Sequence, residues 1–154
     1  GKRDTVVSGQ GKSKACFATL AERKTRFYIA MKMSDRRAET MENAIVAALS
    51  AFPPQLVKTI TCDRGTEFAN WRRIEERLHC EVYFADPYCA WQKGTNENLN
   101  GLLREFYPKG RNLSRVAPAT LKRNLALLNA RPRKVLYFHS AQELWDFELN
   151  SCCT

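Results

Sequence analysis

The feature that most constrains this chain is a change of hydrophobic period within its first 62 residues. Two apolar runs, 15–21 and 27–33, are joined by the polar tetrad Glu22-Arg23-Lys24-Thr25 and read as a β-hairpin. An earlier run, "DTVV", starts a strand at or before Asp4, so three consecutive antiparallel strands are expected. From about Ala38 to Phe52 the period becomes helical. Met41, Ala44, Ile45, Ala48, Leu49 and Phe52 form one stripe, which Pro53-Pro54 end. The short run "VKTITC" then returns to strand. A meander followed by helix-linked strands can bury all of these faces in only a few arrangements.

The alternation continues. "ANWRRIEERL" reads as a helix, and "EVYFA" as a strand broken by Asp86-Pro87. A long helix is expected from about Asn96, with Leu99, Leu102, Leu103 and Phe106 on one side, and two more near 118–129 and 141–149. The order β-β-β-α-β-α-β-α-α-α predicts an α/β sandwich with helices on both faces of the sheet. There is no internal repeat, low-complexity tract or linker, so the 154 residues read as one domain. Ligands of such sheets sit at the carboxyl ends of strands. Asp63, in "TITCDRGTEF", stands at the end of the fourth strand.

Charge narrows the partners. The formal net charge is +9, and the stretch from Gly101 to Lys134 holds nine Lys and Arg against Glu105 alone. A localised basic stretch of this kind suits nucleic acid, whereas a solvated face carries its charges interspersed. No apolar run approaches the length of a membrane span, and no signal-type segment opens the chain, so a cytoplasmic setting without membrane contact is expected. The six cysteines form no C-x-x-C pair. With only His79 and His139 beside them, they read as reduced thiols and not as a zinc site.

Metal-assisted phosphoryl transfer needs carboxylates from different elements converging at one sheet edge. Asp4 in the first strand, Asp63 at the end of the fourth and Glu97 at the start of the long helix stand at such places. Each also has a structural role open to it: Asp63 as a turn former before Gly65, Glu97 as a complement to a helix N-terminus, Asp4 as a strand end. The loop before Glu97 mixes Pro87, Tyr88, Trp91, Lys93 and Gly94, a composition fitted to phosphate contact and base stacking. Arg104 follows Glu97 by seven residues, about two helical turns.

These segments carry a resemblance. "TCDRGTEF" resembles the strand-end aspartate segment of DDE transposases and retroviral-type integrases. "DPYCAWQKGTNENLNGLLREFYPKG" is similar to the glutamate segment of bacterial insertion-element transposases of the insertion sequence thirty group. "LNARPRKVL" is similar to that group's downstream segment, and the 33 residues between Asp63 and Glu97 agree with its spacing.

The resemblance implies an RNase-H-like, retroviral integrase-like fold: a mixed five-stranded sheet with helices on both faces. It implies that Asp4, Asp63 and Glu97 are the catalytic carboxylates and hold two divalent ions, Mg²⁺ or Mn²⁺, for DNA cleavage and strand transfer. Arg104 matches a DNA-contacting position, and Lys93, Lys109, Trp91 and Tyr88 are the further candidates near DNA. Residues 1–154 would form an isolated integrase-like catalytic core, without the family's amino-terminal DNA-binding region. Its partners would be element ends and target DNA, and it would pair as a homodimer or higher oligomer in a bacterial, nucleoid-associated setting. Two other readings stand beside this one: an RNase-H-like nuclease without strand transfer, and a non-catalytic DNA-binding or oligomerisation module.

Overall fold

The computed structural model describes residues 2–7, 16–22, 24–62, 68–84, 99, 101–108 and 110–152; for 2–7 and 62 it describes the backbone. Five strands of these residues form one sheet: β1 (Lys2–Val7), β2 (Cys16–Ala21), β3 (Tyr28–Met33), β4 (Thr59–Cys62) and β5 (Glu81–Phe84). Their order across the sheet is β3-β2-β1-β4-β5. β1, β2 and β3 pair antiparallel as the meander predicts, and β1–β4 and β4–β5 pair parallel. The helices are α1 (Ala38–Leu49), α2 (Trp71–Leu78), α3 (101–106), α4 (Pro118–Ala130) and α5 (Ala141–Cys152).

Two boundaries differ from the sequence pattern. The stripe of α1 runs on to Phe52, but the helix stops at Leu49 because Pro53 and the 3₁₀ turn Pro54–Leu56 reverse the chain. That turn also delays β4, which starts at Thr59 and not at Val57.

β2 is buried along its whole length, as a strand covered on both faces must be. Its odd-numbered residues Phe17 and Ala21 join a core with Leu99, Leu103, Leu121 and Leu128, from the α3 and α4 side. Its even-numbered residues Cys16 and Ala18 join a second core with Met41, Ile45, Ile60 and Ile74, from the α1 and α2 side. The period-2 alternation of one strand thus sorts the helices into two layers.

The β2–β3 turn is held by Glu22. Its Oε2 accepts hydrogen bonds from the Thr25 N–H at 2.6 Å and the Thr25 hydroxyl at 2.7 Å, and Arg26 closes the turn with φ 64°. Burial raises the Glu22 pKa, but the Thr25 and Lys24 hydrogen bonds outweigh it and leave the carboxyl below its ordinary value. The outer edge of β3 is closed in an unusual way. Asn129, buried on α4, accepts from the Tyr28 N–H at 3.0 Å and donates to the Tyr28 carbonyl at 2.8 Å, as a neighbouring strand would.

Two outcomes follow from these contacts. Asn129→Leu removes two hydrogen bonds from the backbone of buried Tyr28, and should cost about 2–4 kcal/mol in denaturant unfolding. For Glu22 the folded pKa is the lower one, so its stabilisation is present above the unfolded value near 4.5 and is lost as pH falls through the folded value. The wild type should therefore be more stable than Glu22→Gln at pH 7, and thermal melts should converge as pH falls through the folded value.

Candidate active site

β1 is the strand on which the two halves of the sheet meet. It pairs with β4 as Lys2↔Thr61 and Arg3↔Cys62, so paired positions lie 59 apart in the chain. Asp4 and Asp63 are also 59 apart, and each is one residue beyond the last of these pairs. On its other side Asp4 pairs with Thr19 of β2, which is fully buried between Phe17 and Ala21 of the same strand.

On the Phe17 face lies α3. Leu99 and Leu103 are fully buried, and Leu102 and Phe106 pack against the same core. Tyr107, just past the helix, meets Phe17 edge-on with ring centroids 5.2 Å apart, and its hydroxyl accepts from Asn124 Nδ2 at 2.9 Å. The predicted apolar side of this helix is therefore the side that fixes it to the sheet, and Glu97 precedes its first described residue by two positions.

Asp63, Glu97, Tyr88, Trp91, Lys93 and Lys109 lie outside the described residues. Arg104 is half-buried, and its Nη1 donates to the Tyr107 carbonyl at 3.5 Å, so it covers the C-terminal end of α3. Among the described residues no cluster of three His, Cys, Asp or Glu stands at metal-binding distance.

The basic stretch does not form one uniform face. Arg131 pairs with Glu105 at 2.9 Å and lies over the Phe106 ring, and Arg111 lies over the Tyr107 ring. Arg115, Lys122, Arg123 and Lys134 are exposed. Arg133 is half-buried; burial, then the charge of Arg26, depress its pKa. The nearness of Arg26 and Arg133 has no sequence signal, because it is made by the β2–β3 turn meeting the end of α4.

Residues 3–90, more than half of the chain, match the family described as integrase core domain. The chain belongs to the integrase core domain family. It is 36% identical over 143 residues to the probable transposase for insertion-like sequence element IS1161 of Streptococcus salivarius, covering 93% of this chain and 40% of that protein. It is 37% identical over 139 residues to the transposase InsI for insertion sequence element IS30C of Escherichia coli (strain K12), covering 90% of this chain and 36% of that one. This integrase core thus spans about two fifths of the length of these curated relatives.

The crystal structure of the catalytic core domain of BIV integrase superposes with a TM-score of 0.72 at 16% identity, covering 99% of this chain and 97% of that one. A chain of the simian T-cell lymphotropic virus intasome in complex with PP2A regulatory subunit B56 gamma gives 0.64 at 15%, covering 83% and 47%. The fold is the retroviral integrase-like, RNase-H-like one that the resemblance implies. Among the described residues no helix is long and apolar enough to cross a membrane.

The anchoring of α3 on Phe17 makes a measurable claim. Tyr107→Ala removes a fully buried ring and should cost about 3–5 kcal/mol in denaturant unfolding, whereas Tyr107→Phe loses only the Asn124 hydrogen bond, about 1 kcal/mol.

Proposed function

We propose that this chain is the catalytic core of a DDE-type transposase that cleaves and joins DNA strands, with Asp4, Asp63 and Glu97 as its catalytic carboxylates. The observation that carries the reading is the β1–β4 register: parallel partners lie 59 positions apart, and so do Asp4 and Asp63. Side chains at one level of a parallel pair share a face, so a separation equal to that of paired residues supports a site that draws on both carboxylates. The partner of Asp4, Thr19, belongs to the face on which α3 packs, and Glu97 stands just before that helix. These placements support a site that takes one carboxylate from each of three elements at one region of the sheet.

This all-oxygen donor set fits Mg²⁺ or Mn²⁺, hard cations that take carboxylate ligands. Bound there, such ions activate an attacking oxygen and stabilise a leaving one in phosphoryl transfer. The chain's own part would be to position the three carboxylates, a role that the paired backbones of β1 and β4 and the buried Leu99 and Leu103 support. Lys93, Arg104 and Lys109 are assigned to phosphates of the bound DNA, and Tyr88 and Trp91 to stacking. Arg104 also covers the end of α3, so its guanidinium is oriented before DNA arrives.

The kinship with insertion-element transposases favours strand transfer over hydrolysis alone, and a bacterial cytoplasmic setting. Residues 1–154 are proposed as one core domain that acts on element ends and target DNA as a homodimer or higher oligomer.

A strand-transfer reversal assay on branched DNA tests this. With Mg²⁺ or Mn²⁺ the chain should reseal the branch; a chelator, Asp63→Asn or Glu97→Gln should each abolish the reaction without lowering the melting temperature. Cutting without resealing would assign a nuclease, and resealing by Glu97→Gln would remove Glu97 from the site.

A further inference from the structure

Among the described residues, the segment between α4 and α5 is the one that holds two consecutive non-glycine residues at positive φ. Residues 132–140 form a tight loop. Pro132 bridges Ser140, the Arg133 N–H donates to the His139 carbonyl at 3.1 Å, and the Phe138 N–H donates to the Arg133 carbonyl at 2.8 Å. Leu136, buried, pins the loop to the body of the protein. At its tip Tyr137 (φ 52°) and Phe138 (φ 66°) are both left-handed, a conformation that suits glycine and costs any residue with a Cβ. Their rings are 88% and 70% exposed. Folding therefore gains almost nothing from two large aromatics held in a strained backbone, and strain of this kind gathers at functional positions.

The charge around the rings indicates what they meet. From residue 131 to 142 the chain has Arg131, Arg133 and Lys134 and no carboxylate, and the next one, Glu143, meets His139 Nδ1 at 3.2 Å. Arg131 already pairs with Glu105, but Arg133 Nη1 is buried without a hydrogen-bond partner among the described residues. Arg26 from the β2–β3 turn stands near enough to Arg133 to repel it. Exposed Lys134 beside half-buried Arg133, with the charge of Arg26 added, suits an anion, and exposed rings beside them suit flat apolar surfaces. A strand of unpaired nucleotides offers both together, whereas a duplex hides the faces of its bases.

We propose that loop 132–139 is a binding site for unpaired nucleotides of DNA, in which Tyr137 and Phe138 stack on bases while Arg133 and Lys134 hold the intervening phosphates. The proposal rests on the DNA-acting function above and adds a site to it. Its location suits a shared strand. Asn129, three residues before Pro132 at the start of the loop, bonds Tyr28, which lies level with Ala21 and with Lys2 of β1. From there to the Asp4 position is two strand spacings across and two residues along, on the order of 12 Å.

The test is binding, independent of catalysis: fluorescence anisotropy titrations with a labelled single strand, its duplex and a branched DNA. Tyr137→Ala/Phe138→Ala should weaken single-strand and branched binding by about ten- to a hundredfold and change duplex binding by less than about threefold. Tyr137→Gly/Phe138→Gly should bind as poorly yet melt no lower than wild type, because glycine relieves the left-handed backbone. Lys134→Gln should reduce the salt slope on single strands by about 0.7.

Unchanged single-strand affinity in both aromatic variants overturns the loop site and leaves the DNA-acting reading standing. A wild type that binds none of the three DNAs overturns both. Equal losses on single strand and duplex overturn base stacking. A shift from oligomer to monomer in sedimentation, with DNA affinity intact, gives the rings to a second copy of the chain and overturns the proposal.

Discussion

The parallel pairing of β1 with β4 is the interaction on which the rest of this molecule depends. Without it the chain would be two separate pieces, an antiparallel meander of β1, β2 and β3 and a parallel pair of β4 and β5. Parallel strands cannot be joined by a tight turn and need a crossover, which here is built from α1 and the 3₁₀ turn Pro54–Leu56. Because that crossover packs Met41 and Ile45 on the Cys16–Ala18 side of β2, the opposite side of the sheet stays available to α3 and α4. Register and layering are thus one constraint: a slip of one residue between β1 and β4 would turn every β4 side chain to the other face.

The second layer is secured by polar as well as apolar contacts. β3 lies at the sheet edge, where unpaired backbone groups invite another strand. Asn129 answers one residue of that edge with a side-chain amide, and Lys32 donates to the Ser114 and Val116 carbonyls at 2.6 and 3.1 Å, which ties the segment before α4 to the same strand. Phe27, stacked on Trp145 with ring centroids 5.2 Å apart, brings α5 against the end of the hairpin. The cationic stretch between 101 and 134 is therefore distributed over several surfaces. Arg111 and Arg131 lie on aromatic rings, while Arg115, Lys122, Arg123 and Lys134 face solvent.

Much of this was legible in the residues. The three-strand meander, α1, α2, α4 and α5 each follow from a periodicity that burial enforces: Met41 and Ile45 are on the stripe and fully buried, as are Leu99 and Leu103. The ends of elements were less legible, since the stripe of α1 runs through Phe52 while the helix stops at Leu49. Apolar side chains can remain useful to a core after the backbone has left the helix, and Phe52 does so by meeting Phe27 and Trp145. For the candidate site, the sequence marked Asp4, Asp63 and Glu97 by expected positions at element ends; β1 begins at Lys2, so Asp4 is its third residue, and Asp4 and Asp63 share the separation of paired residues.

The sequence by itself determined the kinds of element, their order, the carboxylates at their ends and the family, because these depend on local periodicity and on motifs contiguous in the chain. Only the tertiary structure decided which strand lies beside which, that Asn129 closes on Tyr28, that the charge of Arg26 is felt by Arg133, and that Tyr137 and Phe138 stay outside the core. The physical reason is separation along the chain. Pairing between distant residues is chosen by the burial of all faces at once, and no local pattern records that choice.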